Sequence, residues 1–496
     1  MQTLKRVRLK KNNAISYRLN PSTTTTMQIT HIAAECYPYA KAGGLGDVVG
    51  ALPLYQNKLG HNASVVLPMY RTKYLYNHSW TNIYEGTFYF SSALLNYTII
   101  RESTNALGFE LFCVDINGLT DREAIYGYND DTERFLAFQI AVVDWISTWQ
   151  TKPDIVHVHD YHAGLIPFMM QYCYQYQHLQ SITTILTIHN AQYQGQMDWS
   201  KSKLLPAWDG YAWGKLDWDN AINPLGSAIK CASKVNTVSP SYLQEIMHNA
   251  NGLENLFEYE KGKCYGIING IDTDVWNPET DKHLVANYNI KTVASGKQLN
   301  KAAICKQFNL DAAKPLFIFI GRLVHEKAAD ILPQSITQAL YTYQNNLNFL
   351  VLGSGDSRIE KELTSLNHPL TGYYNSRIAY NETLSHQMYA AADFILMPSR
   401  VEPCGLNQLY ALRYGTIPMV RSTGGLKDTV TDLGDKDGYG FTFKQATVGD
   451  ILHTIGRGLD LYYNNKVQFA AVQQQIMALN YSWEASAAQY IKLYKL

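Results

Sequence analysis

Short runs of β-branched and apolar residues alternate with stretches of helical periodicity along most of this chain, and few folds accept that pattern. Residues 28–34, 63–67, 154–159, 183–187 and 234–238 have the length and composition of buried strands bounded by turn residues. Between them lie segments such as 132–149, where Phe135, Phe138, Val142, Trp145 and Ile146 recur near every third or fourth place and mark one helix face. The pattern resumes after residue 310, at 316–320, 348–352, 376–379, 394–397 and 417–420. Alternation of this kind predicts parallel sheets covered by helices. With 496 residues the chain is too long for one ordinary core. The expectation is therefore an α/β protein of two doubly wound, Rossmann-like domains that face each other across a cleft.

Ligands of open α/β sheets sit beyond the carboxyl ends of the strands, and glycines, charges and polar residues gather at those ends in both halves. Lys41-Ala-Gly43-Gly44-Leu-Gly-Asp47 follows the first strand and leads into a helix. Glycines let the backbone approach a phosphate, and a helix N-terminus offers free N–H groups. A dinucleotide fingerprint is the rival reading. It is disfavoured because the glycines come about eight residues after the strand and no acid ends the second strand. His157-Val-His159-Asp160-Tyr-His162 closes another strand. Its spacing invites a metal reading, but two of the histidines alternate along a strand and no fourth ligand is near. His162 is left with either a packing role or a hydrogen bond to a sugar oxygen. Thr187-Ile-His189-Asn190 is a second polar strand end with the same two readings.

In the second half a buried strand ends at Gly321, Arg322 follows, and Lys327 comes five residues later. Two cations at a strand end suit the diphosphate released when an activated sugar is cleaved. Glu402-Pro403-Cys404-Gly405-Leu406 follows another strand and precedes a helix, so its carboxylate either contacts sugar hydroxyls or complements the helix dipole. Thr423-Gly424-Gly425 and Gly353-Ser-Gly355 are two further glycine turns at strand ends. Each feature alone is weak; together they describe a site for an activated sugar.

Bulk composition narrows the partners. Lys plus Arg and Asp plus Glu both number 42, for a formal net charge of zero, so nothing calls for nucleic acid or an acidic membrane. Seven widely spaced cysteines without a C-x-x-C argue against a disulfide framework or a zinc site. No apolar run reaches membrane-spanning length. Residues 1–26 carry Lys5, Arg6, Arg8, Lys10, Lys11 and Arg18 without an acid. They are read as a basic extension or upstream start, with a plastid transit peptide as the alternative. The expected location is the cytoplasm.

From Met27 onward the chain resembles the bacterial-type glycogen synthases and plant starch synthases, retaining glucosyltransferases of the GT-B fold. The resemblance rests on Lys41-Ala-Gly-Gly-Leu-Gly-Asp-Val, His159-Asp-Tyr-His162, Ile188-His-Asn, Asn236-Thr-Val-Ser-Pro and Ile268-Asn-Gly-Ile-Asp272. Gly321-Arg-Leu-Val, Glu402-Pro-Cys-Gly-Leu and Ser422-Thr-Gly-Gly-Leu-Lys-Asp-Thr-Val complete it. It implies transfer of glucose from ADP-glucose to the 4-OH of an α-1,4-glucan (glycogen or starch) with retention, and no metal or other cofactor. It implies domains at 27–268 and 269–478, with 479–496 returning to the first. By position, Arg322 and Lys327 would bind the diphosphate, Glu402 would contact the donor glucose, and His162, Asn190 and Asn269 would contact sugar. Lys41, Gly43, Gly44 and Asp47 would approach the donor from the first domain, and Tyr380 would stack on the base. Cys404, Gly405, Leu406, Thr423, Gly424 and Gly425 would line the donor site. Ala42, the His325-Glu326-Lys327-Ala328 turn and Asn223-Pro-Leu-Gly depart from the usual family motifs. They leave open UDP-glucose or another acceptor; a non-catalytic glucan-binding relative is a separate alternative, against which the intact Arg322, Lys327 and Glu402 argue.

Overall fold

The computed structural model describes residues 25–496, so nearly all of the basic N-terminal stretch lies outside the described residues. Two sheets dominate. The first contains β1 (Gln28–Ile32), β2 (Asn62–Pro68), β3 (Trp80–Phe90), β4 (Ala93–Glu102), β5 (Glu110–Asp115), β6 (Ile155–His159) and β7 (Thr183–Ile188). After the short hairpin β8 (Asp217–Trp218) and β9 (Ala221–Ile222), it is completed by β10 (Lys234–Thr237) and β11 (Cys264–Gly266). Their order is β11-β10-β7-β6-β1-β2-β5-β4-β3. The core strands are parallel, while β3, β4 and β5 form an antiparallel edge.

The second sheet contains β12 (Leu316–Ile320), β13 (Asn348–Gly353), β14 (Tyr374–Ile378), β15 (Phe394–Met397), β16 (Ile417–Arg421) and β17 (Phe441–Phe443). Its order is β14-β13-β12-β15-β16-β17, parallel throughout. Strands such as Leu316–Ile320 are apolar without alternation because helices cover both faces.

Both sheets reverse their winding between two neighbouring strands, β1 and β6 in the first and β12 and β15 in the second. A crevice opens at such switch points because successive connections leave toward opposite faces. The Gly43-Gly44 loop follows β1 and His162 follows β6. Arg322 follows β12 and Glu402 follows β15. Four loops that carry candidate site residues thus leave the two switch points.

The chain passes between domains twice, side by side. Ile271 N–H donates to Tyr481 O at 2.8 Å and Trp483 N–H to Ile271 O at 3.2 Å. Gly270 is required at this crossing, since a Cβ there would lie 2.5 Å from the backbone of Trp483. The helix Trp483–Lys495 then lies against the first domain, where Trp483, Ala487, Tyr490 and Tyr494 pack with Ile29, Val48, Leu52, Tyr55 and Ile155. Trp483 is 3% exposed. Trp483→Ala is expected to cost about 3–5 kcal/mol, as for other buried aromatic truncations. Urea unfolding followed by circular dichroism checks this, and a transition superimposable on that of the parent would contradict it.

Candidate active site

A cleft of about 600 Å³ lies between the carboxyl ends of the two sheets. From the first domain Gly43, Gly44, His162 and Asn190 line it; from the second come Arg322, Lys327, Glu402, Cys404, Gly405 and Leu406, with Asn269 at the crossing. The sequence-derived sites on separate loops are therefore brought to one place.

The glycine pair owes its position to a carboxylate. Glu35 Oε2 accepts from the N–H groups of Ala42 (2.6 Å) and Gly43 (2.8 Å), while Tyr126 OH donates to Glu35 Oε1 at 2.7 Å. Gly44 then opens the helix Gly44–Lys58. A Cβ at either glycine would meet nothing within 4 Å. The space above the helix N-terminus is thus free for a ligand with oxygen acceptors.

The second domain supplies the charge. Lys327 Nζ donates to both Glu402 carboxylate oxygens at 2.6 Å, and Ser399 Oγ donates to Glu402 Oε2 at 2.9 Å. Glu402 is buried, so removing Lys327 alone would strand its charge. Arg421 holds the loop by donating to the carbonyls of Ser399 and Arg400. Arg322 is 62% exposed and pairs only loosely with Glu326 at 3.1 Å, which leaves its guanidinium available to an anion.

Two buried polar atoms in the cleft wall, His162 Nδ1 and Asn269 Oδ1, have no hydrogen-bond partner among the described residues. Such atoms are costly unless a polar ligand satisfies them. Burial lowers the His162 pKa to about 3, so the ring is neutral and offers one donor and one acceptor. Tyr126 stacks on it at 5.0 Å and Phe135 meets it edge-on at 4.7 Å.

Other expected residues stand apart from the cleft wall, each for a visible reason. Lys41 is bonded to Asp47 at 2.6 Å, beside the loop rather than in it. Tyr380 is 76% exposed, its hydroxyl donating to Glu382 at 3.1 Å. Thr423, Gly424 and Gly425 support the Glu402 loop from behind, with Gly425 N–H donating to Glu402 O at 3.1 Å. Gly424 has φ +43°, and a Cβ there would lie 2.1 Å from Glu402 O. Its N–H donates to Glu245 Oε1 of the first domain at 2.7 Å, and Thr423 Oγ1 donates to the same oxygen at 3.0 Å. This glycine turn therefore serves an interdomain carboxylate.

Residues overlooked in the sequence include Glu35, Tyr126, Tyr161, Tyr193 and Ser399, while Asp160 and His189 stood within the polar strand ends without a role of their own; all of these line the cleft. Glu35 was the most accessible of them, as an acid at the end of the first strand just before the glycines. Tyr126 and Tyr193 carry no local signal in a chain with 36 tyrosines. Asp160 has φ +54°, and its Oδ1 accepts from His189 N–H at 2.7 Å. Burial raises its carboxyl to about 7.

The fold and site together define a two-domain glycosyltransferase of the GT-B type. Residues 28–259 match the starch synthase catalytic domain and residues 300–461 match glycosyl transferases group 1. The chain is 50% identical to a glycogen synthase of Flavobacterium johnsoniae, over 95% of this chain and 99% of that one. It is 36% identical to a glycogen synthase of Streptococcus sanguinis, with the same shares covered. Among solved structures it is similar to the catalytic domain of starch synthase IV from Arabidopsis thaliana bound to ADP and acarbose. That match has a TM-score of 0.84 and 32% identity, covering 95% of this chain and 99% of that one. A sucrose-phosphate synthase from Thermosynechococcus elongatus shares the fold at 15% identity and TM-score 0.61, covering 94% and 98%. The chain belongs to the glycogen synthase and starch synthase family. No helix among the described residues is long and apolar enough to cross a membrane.

Gly424→Ala pushes a Cβ into the Glu402 carbonyl and is expected to lower kcat at least tenfold; steady-state kinetics at saturating substrate read it, and an unchanged kcat would contradict it. Asp160 holds its proton to higher pH when folded than the ordinary carboxylate of the unfolded chain. Its contribution to stability is thus present at low pH and lost as pH rises from about 4 to about 7. Asp160→Asn removes that loss, so its stability relative to the parent should rise across the window, as thermal melts at several pH values will register.

Proposed function

We propose that this chain extends an α-1,4-glucan by transferring glucose from ADP-glucose to the 4-OH at the non-reducing end, with retention of configuration. The observation that carries the reading is the cleft itself. One wall is a helix N-terminus with open glycines, the other an arginine and a lysine beside a buried carboxylate, and unpartnered His162 and Asn269 atoms lie between them. A nucleoside diphosphate sugar has matching chemistry, an anionic end and a polyhydroxyl end. The solved relative bound to ADP and acarbose supports the same pairing of a nucleotide with a glucan-like sugar.

In this mechanism Arg322 and Lys327 offset the charge that grows on the diphosphate as the glycosidic bond loosens. Lys41 and the Gly43-Gly44 loop approach the phosphates from the first domain. Tyr380 and the Thr423–Gly425 turn act at the donor's nucleotide side as the domains close. Glu402 holds Lys327 and faces the donor glucose; His162, Asn190 and Asn269 bind its hydroxyls. The acceptor hydroxyl attacks from the face the diphosphate leaves and gives its proton to that phosphate. Protein cations do this work in our proposal, with no metal and no other cofactor, and we place the reaction in the cytoplasm.

Lys327→Ala and Arg322→Ala should each cut turnover by at least about a hundredfold, the scale of losing a charged transition-state contact, while the far-ultraviolet dichroism stays that of the parent. Nucleotide release from ADP-glucose and UDP-glucose, with and without glycogen, tests the substrate. Release that is faster with ADP-glucose and dependent on glycogen is expected. Preference for UDP-glucose, or indifference to glycogen, would overturn the assignment.

A further inference from the structure

Behind the cleft, the first sheet carries a row of buried imidazoles. His31 on β1 pairs with His157 on β6, and His159 lies two residues further along the same face. Ring centroids are 4.8 Å apart for His31 and His157 and 4.3 Å for His157 and His159. The three rings stand close enough to surround a cation. Every ring nitrogen among them already has a protein partner, however, and those partners make the row a hydrogen-bond chain. Gln56 Oε1 faces His31 Nε2 at 2.8 Å, His31 Nδ1 faces His159 Nε2 at 3.0 Å, and His159 Nδ1 faces His189 Nε2 at 3.0 Å. A side branch runs from Tyr494 OH to His157 Nδ1 and from His157 Nε2 to Thr187 Oγ1, both at 2.7 Å. The main chain ends at the cleft, because His189 lines it and its Nδ1 has no protein partner among the described residues.

The links can run in only one direction at a time. Burial keeps His31, His159 and His189 below the ordinary histidine range, so each is neutral near pH 7. A neutral imidazole has one N–H and one bare nitrogen. Connected rings must therefore be ordered head to tail, and whatever sits at one end sets the proton at the other. That end is Gln56. Its Nε2 donates to Tyr494 OH at 2.9 Å, which turns its carbonyl oxygen, an acceptor only, toward His31. His31 then carries its proton on Nε2, His159 donates from Nε2 to the bare Nδ1 of His31, and His189 donates from Nε2 to the bare Nδ1 of His159. Turning the Gln56 amide over would reverse every link and put an N–H on His189 Nδ1.

We infer that Gln56 is a positioning residue for the sugar site: through His31 and His159 its carbonyl fixes the tautomer of His189, so that the cleft is offered a bare nitrogen that accepts a hydrogen bond from a sugar hydroxyl. The identity of that hydroxyl rests on the transferase reading above; the order of the protons does not. Gln56 is fully buried and anchored by Tyr494 from the C-terminal helix, so the device joins that helix to the cleft.

Neutron diffraction from crystals of the full chain exchanged into deuterium oxide tests the order directly. Deuterium is expected on Nε2 of His31, His159 and His189 and not on Nδ1 of His189. Deuterium on His189 Nδ1 would overturn the inference, whatever substrate the enzyme proves to use. Kinetics then test the consequence. Gln56→Leu is expected to lower kcat about tenfold, the scale of one lost transition-state hydrogen bond, with KM for ADP-glucose within about twofold. Gln56→Glu keeps an acceptor against His31 and should restore kcat to within about twofold of the parent. Equal losses in both variants, or none in Gln56→Leu, would show that Gln56 only fills space and would end the proposal.

Discussion

The arrangement of this molecule depends on the double crossing at Gly270–Ile271 and Ser482–Trp483. Two doubly wound sheets make one active site only if their carboxyl ends face each other, and nothing within either sheet enforces that. The backbone bonds between Ile271 and the 481–483 segment tie the two passages together. The helix Trp483–Lys495 then anchors the second passage by burying its aromatic face against the first domain. That burial is apolar and extensive, of the kind that dominates domain stability. Tyr490 OH accepts from Asn236 Nδ2, Tyr494 OH accepts from Gln56 Nε2, and a hydrogen bond between Tyr494 OH and His157 Nδ1 completes the set that fixes the helix in register on the sheet.

Within that frame the cleft combines rigid and unsatisfied parts. Glu35 and Arg421 hold loops by their backbone groups, and the Gly424 turn packs directly behind Glu402. Against this scaffold, His162 Nδ1 and Asn269 Oδ1 are left without partners. Polar groups held in place beforehand need not reorganise when charge develops.

Much of the architecture was legible in the sequence. The strands expected at 316–320 and 394–397 coincide with β12 and β15, and most others differ by one or two residues, because fully buried parallel strands are short unbroken apolar runs. The antiparallel edge of β3, β4 and β5 was not seen. β3 and β4 are partly exposed and mix polar with aromatic residues, as in Trp80–Phe90, so no long apolar run marks them, whereas the buried run Leu111–Val114 of β5 was passed over. At the site, strand-end motifs led to Gly43, Arg322, Lys327 and Glu402, which do line one cleft. The Thr423–Gly425 turn packs behind Glu402 and bonds Glu245 in this structure. A glycine turn at a helix start reads the same whether its N–H groups face a ligand or a carboxylate such as Glu245. Tyr126, Tyr193 and the imidazole chain depend on contacts across elements far apart in sequence, which no local pattern encodes.

That Glu245 contact has a mechanical meaning. Glu245 and Ser241, on one helix of the first domain, bond Thr423, Gly424 and Asp428 of the second, and the paired crossing at Ile271 and Ser482 is a second place where the domains are bonded. Two fixed points define a line, and the motion that breaks neither is rotation about it. A cleft built this way opens like a book rather than by separation. Rotation about that line displaces least the groups beside it, among them Glu402 next to Gly424.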